Sequence, residues 1–237
     1  MVTNEIEGVF NMETFKRKTS SDIVYDNLKK QIVTLEIPPH FHLSEMKIAD
    51  DHEVSRTIIR QCLSRLQVEG LLIKRRNGRV YTLDISKDDA INIYNVRSVL
   101  EGLVAKEATN KITQAGLNDL EVIIESIKDA ILDKNDEAII NYGFYFHYKL
   151  YEISKNDIAV NFLNRLRPLI ERYRYLTDFQ YERHINHSPL EEHIKLFELI
   201  RQRKESEVEL EMIKHVNNSL EYVLLAIDAY KKRVKYK

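Results

Sequence analysis

Apolar positions between Ser21 and Leu35 recur at spacings of three and four: Val24, Leu28, Ile32, Leu35. That period predicts an amphipathic helix, stopped by Pro38 and Pro39. Ser44 is placed as an N-cap for a short helix to about Asp51, and Ser55 as the cap of a longer one to about Glu69. The longer helix has Ile59, Cys62, Leu63 and Leu66 as its buried stripe and stops at Gly70. The pattern then changes. Leu71–Arg75 and Arg79–Leu83 read as short strands joined through Asn77-Gly78, a hairpin signal because both residues tolerate positive φ. Three helices followed by a β-hairpin is the predicted order.

After Asp84 everything reads as helix. Ser86 with Asp89 forms an N-terminal capping pair. Leu117, Leu120, Ile124, Ile127 and Ile131 make one amphipathic stripe. Asp136–Ser154 is an aromatic-rich helix, and a third runs from Asp157 to about Tyr181 with Pro168 as an expected kink. Ser188-Pro189-Leu190-Glu191 combines an N-cap, proline at the first helical position and glutamate at the third, the sharpest helix start in the chain. A last helix is expected from about Glu205 to Tyr230. The fold class is therefore mainly α. A polar extension covers residues 1–19, a three-helix-plus-hairpin domain 20–84, and an all-helical domain 85–237.

Composition narrows the function. The 237 residues suffice for one or two domains with a sizeable core. No apolar run approaches the ~20 residues of a membrane span, and the first twenty residues lack a secretory signal pattern. Cys62 is the single cysteine, which excludes an internal disulfide and suits a reducing cytoplasm. Net charge is −1, yet Val54 to Asp84 holds seven Lys or Arg against two acids, the local excess that phosphate contact requires.

In a helix-turn-helix the first turns of the second helix enter the major groove. Here that helix opens Ser55-Arg56-Thr57-Ile58-Ile59-Arg60. Arg56 and Arg60 are four apart and share a face opposite the apolar stripe, where each guanidinium reaches a guanine edge or a phosphate. Ser55 and Thr57 add hydroxyls beside free backbone N–H groups. Lys74, Arg75, Arg76 and Arg79 surround Asn77-Gly78, a basic turn suited to the adjacent groove or backbone. The plainer reading of any one arginine is a solvated charge; the ensemble favours DNA. Lys29, Lys30 and Lys47 are weaker candidates.

Leu43-Ser44-Glu45, Val54-Ser55-Arg56-Thr57, Arg60, Leu63, Leu66 and Glu69-Gly70-Leu71 resemble the winged-helix signature of the GntR family over about residues 20–84. The resemblance implies that Arg56, Thr57 and Arg60 contact double-stranded operator DNA and that Gly78 sits at the wing tip. Two departures stand out. Pro39-His40 replaces the usual Pro-Gly, and Thr57-Ile58-Ile59-Arg60-Gln61-Cys62 replaces Thr-Pro-Val-Arg-Glu-Ala.

In the helical half, His147, His193 and His215 lie on apolar stripes of different helices and are expected to converge in the core. Converging neutral imidazoles suit Zn²⁺, Ni²⁺ or a similar ion, although a single buried histidine is more often a hydrogen-bonded core residue. His40, His42, His52, His184 and His187 are expected at the surface. Phe146-His147-Tyr148-Lys149-Leu150, Ser154-Lys155-Asn156 and the 22-residue separation of His193 and His215 resemble the FCD ligand domain of FadR-type regulators over about residues 86–230. That family holds a metal with one Asp and three His, the Asp one turn before the first His; here that position is Gly143. Two alternatives follow: a metal held more weakly and with more pull on an anion, or a site without metal in which Gly143 gives room to an organic effector.

Arg97 also matches the family pattern. It pairs either a carboxylate effector or Glu101. Tyr145 and Tyr148 are further effector-pocket candidates, though Tyr142, Tyr145, Tyr148 and Tyr151 on one helix more often serve a core. The expectation is a homodimeric, ligand-responsive regulator on a palindromic operator; the resemblance implies a small carboxylate or related metabolite as effector and release of repression as the outcome. A metal sensor is the alternative. A three-histidine hydrolase is disfavoured, because no carboxylate stands at the spacing of a general base.

Overall fold

The computed structural model describes residues 18–177 and 188–235. His184, His187, Tyr181 and most of the polar extension lie outside the described residues. The chain divides into two compact units, Met1–Leu83 and Asp84–Lys237.

In the first unit, α1 (Ser20–Val33) starts at a capping box: Thr19 Oγ1 accepts from the Asp22 amide and the Asp22 carboxylate accepts from the Thr19 amide. Val24, Tyr25, Leu28 and Ile32 form its buried face. A two-residue strand β1 (His42–Leu43) leads into α2 (Glu45–Asp51) and α3 (Arg56–Val68), capped by Ser44 and Ser55 as expected. Ile59, Cys62, Leu63 and Leu66 are buried on α3. Gly70 at φ 75 ends it in a Schellman turn, with the Leu71 amide donating to Leu66 O and the Gly70 amide to Gln67 O. The same arrangement ends α2, but Glu53 takes the left-handed position there at φ 53.

Strands β2 (Leu72–Lys74) and β3 (Val80–Thr82) form the hairpin, and β1 pairs antiparallel on the other side of β3, giving the order β1-β3-β2. Two residues are too short for a periodic signal, so β1 was not expected. The turn also differs from a two-residue Asn-Gly loop. Among its residues only Gly78 has positive φ (78°). The Gly78 amide donates to Arg75 O and the Arg75 amide to Arg79 O, which is a type I turn followed by a left-handed glycine. Asn77 instead accepts the Arg79 amide with its side chain at 3.0 Å. His40, where the GntR pattern has glycine, adopts φ 60, and its amide donates to Thr82 O. A Cβ in that region carries a strain of about 1 kcal/mol, which the pairing of the loop with β3 holds in place.

The second unit is entirely helical among the described residues. Helix α4 (Lys87–Lys111), capped by Ser86, buries a face that runs from Ala90 and Tyr94 to Ala108 and Thr109, and leaves Val96, Val99 and Leu103 exposed on the other. It packs on α6 (Asp136–Ser154), α7 (Asp157–Tyr175) and α9 (Glu205–Lys235), while α5 (Gln114–Leu132) packs on α6 and α8 (Ser188–Arg201). Pro168 lies buried inside α7, where it has no N–H for the Asn164 carbonyl.

Helices α4 and α9 run antiparallel at close range. Lys87 pairs with Asp228 at one end and Lys106 with Glu209 at the other. Between them, a Cβ on Gly102 would come within 2.9 Å of Ile213 Cγ1 and 3.2 Å of the Glu209 carbonyl oxygen. The second of these atoms is backbone and gives only if α9 moves. Gly102→Val is therefore expected to lower the stability of the protein by about 1–3 kcal/mol, through overpacking. Urea denaturation followed by circular dichroism checks this; an unchanged midpoint would mean that α4 and α9 do not meet so closely.

Candidate functional site

In the first unit, Ser55, Arg56, Thr57 and Arg60 are all exposed at the start of α3. The Ser55 hydroxyl accepts from the Ile58 amide at 3.4 Å, so the donor that the family's proline would lack is capped here by a side chain. One residue that sequence reasoning missed organises this face. Glu45, on the first turn of α2, accepts from Arg60 Nε at 2.7 Å and lies 3.9 Å from Arg56 Nη2. Both guanidiniums therefore lean toward one carboxylate and share one face. Glu45 precedes Arg60 by fifteen positions, and no helical period links the two.

The wing residues Arg75, Arg76, Asn77, Gly78 and Arg79 are exposed. Arg75 stacks over the Tyr81 ring, 4.1 Å from its centroid, which holds its guanidinium against the sheet. Behind α3, Tyr25 donates to Glu69, Lys29 pairs with Glu69 at 3.0 Å, and Arg65 covers the Tyr25 ring at 3.6 Å. This cluster ties α1 to the far end of α3, which explains Lys29 as a structural charge.

In the second unit, His147 on α6, His193 on α8 and His215 on α9 converge. One ring nitrogen from each lies within 4.8 Å of the others, and all three side chains are buried. His147 Nδ1 is 3.0 Å from Glu101 Oε2, and His215 Nδ1 is 2.6 Å from Glu192 Oε2. A carboxylate can only accept, so each Nδ1 carries the hydrogen, which leaves Nε2 as the ligating nitrogen of a neutral ring. Burial pushes the His147 imidazole below its ordinary pKa despite the opposing pull of Glu101, which keeps it in the neutral, ligating form. Carboxylate-oriented imidazoles are the usual outer shell of a bound metal. Three converging imidazoles are a donor set that suits a divalent ion.

Arg97 and Glu101 are both almost fully buried on α4. Arg97 Nε donates to Glu101 Oε1 at 3.3 Å, and the Tyr151 hydroxyl donates to the same oxygen at 2.6 Å. Burial pushes the Glu101 carboxyl up, but His147 and Arg97 outweigh it and hold it far below the usual range. Arg97 Nη1 is buried with no hydrogen-bond partner among the described residues. The internal salt bridge is thus formed through Nε, and the Nη1 hydrogens are left over.

A cavity of about 60 Å³ joins these groups, lined by the three histidines, Arg97 and Gly143, with Arg174, Thr177, Glu192, Ser219 and Tyr222 around them. A smaller cavity of about 20 Å³ lies against Arg97, Glu101, His147, Tyr148 and Arg167 among others. Tyr148 therefore faces the smaller cavity, and Tyr145 lines neither of the two. Arg174, Thr177, Ser219 and Tyr222 escaped sequence reasoning because they come from the end of α7, the residues just after it and α9, and carry no motif. Glu192 is adjacent in sequence to His193, yet its partner is His215, a contact between helices that periodicity does not report.

Comparison with known proteins agrees with both halves. Residues 20–81 match the gntR family of bacterial regulatory proteins, and residues 92–218 match the FCD domain. The Nta operon transcriptional regulator of Aminobacter aminovorans is 25% identical over 81% of this chain and 89% of its own. The HTH-type transcriptional repressor RspR of Escherichia coli is 27% identical over 84% and 87%. In fold, E. coli McbR/YncC superposes with a TM-score of 0.70 at 19% identity, covering 88% of this chain and 98% of that one. No helix among the described residues is long and apolar enough to cross a membrane. With its winged helix-turn-helix and its helical FCD domain, the chain belongs to the gntR family of bacterial regulatory proteins and is a transcriptional regulator rather than an enzyme.

Proposed function

We propose that the protein is a homodimeric repressor, acting in the cytoplasm, that releases a palindromic operator when its helical domain binds a small carboxylate. Ser55, Arg56, Thr57 and Arg60 read or clamp the major groove, and Arg75, Arg76, Asn77, Gly78 and Arg79 hold the neighbouring backbone. Two copies related by a twofold axis place two such helices on successive half-sites. The observation that carries the DNA contact is the pair of exposed guanidiniums gathered by Glu45 at the start of α3.

His147, His193 and His215 would hold a divalent ion such as Zn²⁺ or Ni²⁺, which would supply a positive centre for an anionic effector. Arg97, whose Nη1 is buried and unmatched among the described residues beside the same cavity, is the residue of this chain that would fix the effector's carboxylate. The effector changes operator affinity only to the extent that it binds one arrangement of the dimer better than another. A second reading, in which the ion itself is the signal, is favoured by the burial of all three histidines. Adding a chelator in the absence of any organic ligand separates the two: a changed operator affinity selects the metal sensor.

Arg60→Ala is expected to weaken binding to an operator selected in vitro by ~1–3 kcal/mol, and Arg76→Ala to lower the salt slope by about one. Fluorescence anisotropy across a salt series measures both, and unchanged affinity in Arg60→Ala removes that residue from the interface. His193→Ala is expected to lose the divalent metal that co-purifies with the wild-type protein. At an ion concentration about a hundredfold above Kd, the ion should stabilise the wild type by about 2.7 kcal/mol and the variant not at all. Elemental analysis finding no metal in the wild type, with no thermal shift on adding Zn²⁺ or Ni²⁺, ends the metal-dependent reading.

A further inference from the structure

An acidic side chain on a surface that meets phosphate repels its own partner, and the start of α3 has one beside it. Glu45 is the first residue of α2. Its Oε2 accepts from Arg60 Nε at 2.7 Å and lies 3.9 Å from Arg56 Nη2. The Glu45 side chain is 30% exposed, against 60% for Arg56 and 62% for Arg60, so the cations stand outermost. Arg60 is engaged through Nε, and no hydrogen bond among the described residues uses its Nη1 or Nη2. Arg56 and Arg60 against Glu45 leave this face with one net positive charge instead of two.

We infer that Glu45 is a positioning residue that turns Arg60 from a phosphate clamp into a reader of bases, and so sets how well the protein tells its operator from other DNA. The inference rests on the DNA-contact reading above and names how that site discriminates. A guanidinium can grip a base edge with Nε and one Nη, or with its two Nη nitrogens. Glu45 occupies Nε, so the edge left over is the terminal fork, which matches O6 and N7 of guanine. An untethered arginine on the same helix would settle on the nearest phosphate, a contact that every sequence offers equally. The carboxylate also acts against that outcome directly, because it repels a phosphate and has no such quarrel with an uncharged base edge. One group therefore weakens the sequence-independent mode more than the specific one, and specificity is the difference between the two. Arg56, at 3.9 Å and without a hydrogen bond to Glu45, is drawn to the same side but remains able to clamp the backbone.

The test compares full-length wild type, Glu45→Ala, Glu45→Gln and Arg60→Ala on two duplexes: an operator selected in vitro with the wild type, and a scrambled duplex of the same length. Fluorescence anisotropy across a salt series gives both affinities. In Glu45→Ala the scrambled duplex is expected to bind a few-fold more tightly, with a steeper salt dependence, as one more cation reaches phosphate. The ratio of operator to scrambled affinity is expected to fall about tenfold, the worth of one bidentate base contact. Repeating the selection with Glu45→Ala should lose the same guanine that Arg60→Ala loses. Glu45→Gln keeps the size and removes the charge; it should show the same gain on scrambled DNA, and it decides by the same ratio should Glu45→Ala not fold. An unchanged ratio in the Glu45 variants, whether both affinities hold or both fall together, overturns the inference while Arg60→Ala still loses discrimination. Wild-type binding by Arg60→Ala on both duplexes overturns the DNA-contact reading of that residue as well.

Discussion

The helical unit is organised around one buried carboxylate. Glu101 lies almost wholly out of water on the central helix, where an isolated charge would cost several kcal/mol. It is tolerated because three groups from two helices converge on it: the Arg97 guanidinium, the His147 imidazole and the Tyr151 hydroxyl. Each of these needs Glu101 as much as Glu101 needs them. Arg97 would otherwise be an unpaired interior cation, and His147 would have no fixed tautomer. The arrangement fixes the roll of α4 against α6, and with it the direction in which the His147 lone pair and the remaining Arg97 donor lie.

The same logic recurs at smaller scale in the winged-helix unit. Glu45 gathers Arg56 and Arg60, and Glu69 gathers Tyr25, Lys29 and Arg65. The first cluster is solvated, and its energetic weight is small; its effect is geometric, keeping two flexible guanidiniums on one side of the recognition helix. The second is partly buried and joins the two ends of the helical core. Acidic residues in this basic domain thus act as spacers for the cations around them.

Much of the fold was legible in the chain because its signals are local. Ser44, Ser55 and Ser86 cap the helices they were assigned to, and the Val24/Leu28/Ile32 and Ile59/Cys62/Leu63/Leu66 stripes are the buried faces. Helix α4 gave no amphipathic stripe because its exposed face carries Val96, Val99 and Leu103 while its buried face holds Arg97, Ser98 and Glu101 beside alanines. The strand at His42–Leu43 was silent because two residues have no period. Of the candidate site, the three histidines were readable as apolar-stripe positions, since a polar residue there must find a partner inside. Their carboxylate partners were not, because Glu192 and His215 meet only once α8 and α9 have packed. Tyr145, on the same helix as His147, lines neither of the two cavities.

Two of the imidazoles lean on carboxylates of separate helices: His147 of α6 on Glu101 of α4, and His215 of α9 on Glu192 of α8. An ion held by the three rings would therefore tie α6 to the pair α8 and α9, and the tension in that tie would depend on where four rods stand. Slippage of any one of them detunes the grip, so the bundle behaves as a strain gauge in which residues far from the ion set how firmly it is held.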